Sequence, residues 1–362
     1  MIRIRGRKLL PFLHNILHAE TDADGTVHLH RFTEEQIQIY QQETACASVD
    51  YAMRARASAN VVLDLITDSQ IIGLSFLLQE ATRADFAAFD LYVDGVLWDH
   101  RRMDGFNYDL LCFDLPAGEH RVTVFFPWSA VTDVRELILS DGASHYPVER
   151  PLRILSFGDS ITQGYMCQYP SLSYIGCITR AFNAELVNQG VGGYWFDERI
   201  LDEALKQYAP DLITVAYGTN DYSWKKTLAD FSAGASAFLD RLHSLFPQVP
   251  IQAIMPIFRC DTRFRDRRRT YDHSPEEAWE ALRGICGKYE NITVLEDTFY
   301  PRTEDFFVED MVHPNNLGGM IYGQAVVEKI KAMGFNTIQN LPCHCTVERE
   351  GGYENNTDRN GL

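Results

Sequence analysis

The sequence predicts an α/β protein in which an antiparallel β-sandwich precedes a doubly wound, five-stranded parallel sheet. Two observations predict it. Residues 1 to about 150 carry short runs of β-branched and aromatic residues separated by turn chemistry, whereas from Arg153 onward short apolar runs alternate with amphipathic helical stretches. The 362 residues suffice for two cores, and 46% hydrophobic with 23% charged residues describes a folded chain.

In the first region the strand candidates start at Val61, Ile71, Phe89, Tyr108 and His120. Asp94-Gly95 joins Leu91–Val93 to Val96–Trp98 as a two-residue type I′ hairpin loop, and Pro116-Ala-Gly118 punctuates the next pair. Short strands at even spacing predict a jelly-roll-like sandwich over residues 1–150. In the second region, 151–340, strands are expected at Ile154–Phe157, Glu185–Asn188, Leu212–Tyr217, Ile251–Pro256 and Ile292–Leu295. Helices are expected at Tyr174–Asn183, Phe196–Tyr208, Leu228–Leu245, Pro275–Tyr289 and from Asn316 to about Met333. The polar tail, 341–362, reads as disordered.

A net charge of -17 disfavours nucleic acid and anionic membranes as partners and favours a neutral substrate. The N-terminus has basic residues but no uninterrupted apolar run with a cleavage site, so a cytoplasmic location is expected, with the eight cysteines as free thiols. Cys343-His344-Cys345 lacks the ligand spacing of a structural zinc site, and no metal is expected. Arg259–Arg269 holds six arginines in this acidic chain. It reads as a solvated loop, a self-association surface that leaves a homo-oligomer open, or a loop over a site where arginine would bond sugar hydroxyls or a carboxylate.

Four blocks carry chemistry. Gly158-Asp159-Ser160 follows the first parallel strand, which puts a serine hydroxyl at the carboxyl edge where open sheets bind ligands. A serine needs a base to take its proton and a third group to orient that base, and Asp310-Met-Val-His313-Pro314 offers both on a turn entering a helix, with Pro314 suited to the first helical positions. Asn188-Gln-Gly-Val-Gly-Gly193 and Gly218-Thr-Asn220-Asp221 follow the second and third strands. They place glycine N–H groups and a side-chain amide where an oxyanion would form.

These blocks, in this order and at these strand ends, resemble the SGNH (GDSL-type) hydrolase superfamily. The resemblance implies Ser160 as nucleophile, His313 as base and then acid, and Asp310 as its orienter, with no cofactor. It also implies an oxyanion hole made by the backbone N–H of Ser160, the backbone N–H of Gly193 and the Asn220 amide. A sandwich ahead of such a sheet looks like carbohydrate acetylesterases, notably carbohydrate esterase family two. The expected activity is therefore removal of O-acetyl groups from imported oligosaccharides, such as xylan or mannan fragments, through an acetyl-enzyme. Tyr165, Tyr194, Trp195, Tyr222 and Trp224 either stack on sugar faces or pack the two halves together. The alternatives are a lipase or thioesterase of the same fold acting on longer acyl chains, and a non-catalytic carbohydrate-binding protein.

Overall fold

The computed structural model describes residues 1–44, 48–224, 227–263 and 272–337. The polar tail and its Cys343-His344-Cys345, the greater part of the arginine-rich segment, and the side chain of Trp224 lie outside the described residues.

The first half supplies strands β1 (Ile2–Arg5), β2 (Leu13–His14), β3 (His18–Thr21), β4 (Val27–His30), β5 (Val62–Thr67), β6 (Ile71–Glu80), β7 (Phe86–Val93), β8 (Val96–Asp104), β9 (Leu110–Asp114), β10 (His120–Phe125), β11 (Ala130–Leu139) and β12 (His145–Pro147). One sheet runs β3-β4-β11-β6-β9 with β1 also on β11, and the other runs β12-β5-β10-β7-β8 with β2 on β5. Every pairing is antiparallel. The order β4-β11-β6-β9 facing β5-β10-β7-β8 is that of a jelly roll. Alternate residues of each sheet point inward, so Phe76 of β6 meets Phe89 of β7 at 5.3 Å between ring centres. The β7–β8 loop is the expected type I′ turn, with Asp94 at φ 49° and Gly95 at φ 79°.

Two helices interrupt this sandwich, α1 (Glu34–Gln42) and α2 (Tyr51–Arg56). Strand signals dominate the region, yet the helix start is encoded: Thr33 and Gln36 form a reciprocal capping box. Both helices leave the sandwich and bury Ile37, Tyr40, Tyr51, Ala52 and Ala55 in the core of the second half.

That second half is the predicted parallel sheet: β13 (Leu152–Gly158), β14 (Ala184–Gly190), β15 (Leu212–Ala216), β16 (Ile251–Ile254) and β17 (Ile292–Leu295), in the order β14-β13-β15-β16-β17. Its helices are α3 (Ser160–Gln163), α4 (Tyr174–Phe182), α5 (Thr219–Trp224), α6 (Leu228–Leu245), α7 (Pro275–Cys286) and α8 (Asn316–Ala332). One face is covered by α6 and α7 together with α1 and α2, the other by α4 and α8. The order reverses at β13, which opens a crevice at its carboxyl end. The helix expected over Phe196–Tyr208 is instead two 3₁₀ turns, Glu198–Ile200 and Glu203–Tyr208. Asp197 and Asp202 cap them, accepting from the N–H groups of Arg199 and Ala204, and so interrupt a continuous helix.

Strand β14 is an edge, and side chains from the first half complete it. The Leu186 N–H donates to Asn15 Oδ1 at 2.8 Å, and Asn60 Nδ2 donates to the Leu186 carbonyl at 3.1 Å. Farther along, Arg31 donates to the carbonyls of Asn188 and Gly190. A buried edge thereby loses its unsatisfied groups. At its start, the wholly buried Asp64 of β5 holds Arg121 Nε at 3.0 Å and Arg150 Nη2 at 2.6 Å. Arg121 also reaches Asn183 Oδ1, and Arg150 reaches the Ala184 carbonyl.

Burial alone would raise the Asp64 carboxyl, but Arg150 and Arg121 hold it down at about 2. Its folded value lies below the ordinary 3.8, so the stability it contributes, about 2 to 3 kcal/mol, is present above pH ~5 and is lost as pH falls toward 2. Asp64→Ala should cost about 3 to 5 kcal/mol in urea unfolding at neutral pH by stranding the two guanidiniums. Asp64→Asn should flatten the acid side of the stability profile. An acid profile that matches the wild type would place the effect elsewhere.

Candidate active site

Ser160 stands at the first position of α3, directly after β13. The turn is tight enough that a Cβ on Gly158 would lie 1.9 Å from Thr162 Oγ1. Asp159 caps α3 by accepting the Ile161 N–H at 2.9 Å, and burial pushes its carboxyl up to about 6 against that bond and the attraction of His313 and Arg259. The Ser160 hydroxyl is left at the crevice mouth.

His313 arrives from the other end of the sheet on a closed turn. The Val308 N–H bonds the His313 carbonyl, the Met311 N–H bonds that of Val308, and Met311 takes φ 60°. Asp310 Oδ1 accepts the N–H groups of Val312 and His313, each at 2.9 Å, leaving Oδ2 for His313 Nδ1 at 2.5 Å. His313 Nε2 lies 2.7 Å from Ser160 Oγ. With Nδ1–H donating to the carboxylate, Nε2 is left to accept from the serine hydroxyl. Burial would raise the Asp310 carboxyl, but the His313 hydrogen bond and charge and the two backbone N–H groups hold it below its usual range. Pro314 lies ahead of the α8 cap, not at the first helical positions, because the Asn315 side chain supplies the cap by accepting the Gly318 N–H.

The other two blocks meet at the same edge. Asn188 is buried and clamps its own loop, accepting the Gly190 N–H and donating to the Thr162 carbonyl, both at 2.8 Å. Asn220 Nδ2 donates one hydrogen to the Tyr194 carbonyl at 2.9 Å, so the amide's second hydrogen remains for a ligand. Asp221 ties the blocks together by accepting the N–H groups of Phe196 and Gly218. Gly190 and Gly192 have their N–H groups engaged by Asn188 and by Gln163 Oε1 at 2.8 Å. The Gly193 N–H has no hydrogen-bond partner among the described residues, and Gly193 takes φ 85°, a conformation that favours glycine.

Sequence reasoning missed what holds that N–H. The Gly192 carbonyl and the Gly193 N–H belong to one planar peptide and point in opposite directions. Arg54 Nη1 of α2 donates to that carbonyl at 2.7 Å. Arg31, only 2% exposed, donates to the carbonyls of Ala57, Ala55, Arg54, Asn188 and Gly190, and burial lowers its guanidinium to about 9. Gln163 Nε2 reaches the Trp128 carbonyl of the sandwich. No local signal marks these residues, because their acceptors are backbone carbonyls.

Of the two readings of the aromatics, packing between the halves is the one most of them follow. Tyr194 is fully buried, stacks on Trp195 at 4.8 Å and donates its hydroxyl to Asp197, so it is a core residue with no face for a sugar. Trp195 and Tyr222, 7% and 8% exposed, pack into the same core, Trp195 edge-on to Tyr51 and Tyr222 edge-on to His273. Tyr165 differs: it is part-buried, with its ring 4.8 Å from that of His313 and 5.0 Å from that of Trp128. Arg259 bonds Asp261, the Thr219 carbonyl and Ser223 Oγ, bracing the start of α5.

Residues 156–320 match a family model described as the GDSL-like Lipase/Acylhydrolase family. This part of the chain is a GDSL-like hydrolase domain. The fold of sandwich plus GDSL-like domain recurs in solved structures. A salicylyl-acyltransferase, SsfX3, from a tetracycline biosynthetic pathway is 18% identical with a TM-score of 0.75, over 92% of this chain and 97% of that one. A putative GDSL-like lipase from Bacteroides ovatus is 18% identical with a TM-score of 0.74, over 93% and 99%. A family two carbohydrate esterase from Cellvibrio japonicus is 16% identical with a TM-score of 0.61, over 92% and 97%. A sequence comparison with curated proteins finds no match. Among the described residues, no helix is long and apolar enough to cross a membrane.

Proposed function

We propose that this chain is a serine esterase that removes O-acetyl groups from oligosaccharides through an acetyl-enzyme. The observation that carries the reading is the unbroken relay from Asp310 through His313 to Ser160, with a Gly193 N–H at the same sheet edge that has no partner among the described residues. Ser160 Oγ attacks the ester carbonyl as its proton passes to His313 Nε2, and the imidazolium that forms is stabilised by Asp310. The N–H groups of Ser160 and Gly193 and the free hydrogen of the Asn220 amide bond the oxyanion. His313 then protonates the departing sugar oxygen, and water, deprotonated by the same nitrogen, releases acetate. The chemistry runs on this chain's own groups.

The family two carbohydrate esterase of like architecture supports a carbohydrate ester. Tyr165, with its ring 4.8 Å from that of His313, would be the aromatic to contact a sugar bound there. One observation favours a second reading, acyl transfer to an acceptor other than water: the salicylyl-acyltransferase has the higher TM-score, 0.75 against 0.61.

Wild type and Ser160→Ala should be compared on p-nitrophenyl acetate, butyrate and octanoate. The expected result is acetate turnover that falls steeply with chain length and drops by about 10³-fold or more in the variant. Preference for octanoate would replace the acetyl reading with a long-chain one, and partition of the acyl group to an added alcohol over water would favour the transferase. Arg54→Met tests the aim of the Gly193 N–H. Losing an oxyanion donor outright costs about 3 kcal/mol, so a misaimed one should lower kcat by about tenfold or more. KM should change little, because the bond forms in the transition state.

A further inference from the structure

The hairpin β3–β4 carries an unassigned cluster on its outer face. Antiparallel register places His18 directly opposite His30 and Glu20 opposite His28, so these four side chains share one side of the ribbon. The His18 and His30 rings stack at 4.5 Å between centres, inclined by 13°. Ligand atoms of His18, Glu20 and His30 lie within 4.8 Å of one another. His30 Nε2 is buried and has no hydrogen-bond partner among the described residues, an arrangement that costs a polar atom its solvation without return.

We propose that His18, Glu20 and His30 form a binding site for a divalent transition-metal ion of the Zn²⁺ class, with water in the fourth position. Two imidazoles and a carboxylate are a donor set that Zn²⁺ takes tetrahedrally at about 2.0 to 2.2 Å, so donors around one ion stand roughly 3.3 Å apart. Closing from 4.8 Å requires the two exposed side chains, His18 and Glu20, to turn toward the more buried His30, with the His18 ring leaving its stack. The cationic neighbours are Arg56 and His28. His28 is itself paired with Asp22 and Asp133, and Glu20 brings negative charge to the ion. His30 immediately precedes Arg31, so the ion would pin the ribbon next to the side chain that completes β14.

The test titrates the metal-free full chain with Co²⁺, reading its visible absorption, and with Zn²⁺ by calorimetry and thermal unfolding. His18→Ala, Glu20→Gln and His30→Ala are compared with a Cys343→Ser/Cys345→Ser variant that removes the thiols of the tail. The expected result is one tetrahedral Co²⁺ per chain, displaced by Zn²⁺, with a Zn²⁺-dependent rise in Tm. Affinity should fall by about tenfold or more in each of the three hairpin variants and persist in the cysteine variant. His18 is exposed, so its removal does not threaten the fold. Binding that survives in His18→Ala and His30→Ala, or a wild type that takes up no Co²⁺ or Zn²⁺, overturns the proposal. Ester hydrolysis should persist in His18→Ala, which separates this site from the one at Ser160.

Discussion

A strand at the rim of a sheet cannot be buried with its backbone bare, and the way β14 meets that constraint organises the molecule. Asn15, Asn60 and Arg31 stand in for a neighbouring strand, and all three come from the first sixty residues. Arg31 is the most demanding of them, a guanidinium in the interior with no carboxylate of the described residues on it. Its counter-charge is spread over five carbonyl dipoles, three of them around the carboxyl end of α2, where a helix concentrates partial negative charge. The same side chain therefore fixes α2 and the loop after β14, and α2 in turn carries Arg54 to the Gly192 carbonyl. Removing the sandwich would remove the frame of the GDSL-like domain's second block.

The parts legible in the sequence were those with a local cause. Apolar runs and turn residues marked the parallel sheet and the sandwich strands β5 to β10, and Asp94-Gly95 marked its hairpin because only a few residues accept φ > 0 twice in succession. Ser160, Asp310 and His313 could be picked out because their blocks fall at strand ends in a fixed order, and the structure brings them within hydrogen-bonding distance. What stayed hidden depends on partners far away in the chain. Arg31 and Arg54 look like any surface arginine until a carbonyl 138 or 157 residues away accepts from them. Tyr194 and Trp195 misled for a related reason: an aromatic beside a site has the same composition whether it faces ligand or core. The capping box at Thr33 was readable, but nothing local said that the helix it starts would serve the other half.

The similarity to the acyltransferase, the putative lipase and the carbohydrate esterase spans more than nine-tenths of each chain, sandwich included. Proteins with different printed activities thus share the joined pair of folds, not the sheet alone. In this chain that frame brings Ser160, His313 and Asp310 within hydrogen-bonding distance, with the Tyr165 ring beside His313.

The insertion of α1 and α2 between β4 and β5 has a consequence for biosynthesis. Their apolar faces emerge from the ribosome more than a hundred residues ahead of Leu155, Val187 and Phe238, against which they finally pack. At about 5 to 20 residues per second, that leaves Ile37, Tyr40 and Tyr51 without their cover for on the order of ten seconds. The jelly roll can close on its own strands in this interval, while α1 and α2 find their cover only once the second half has been made.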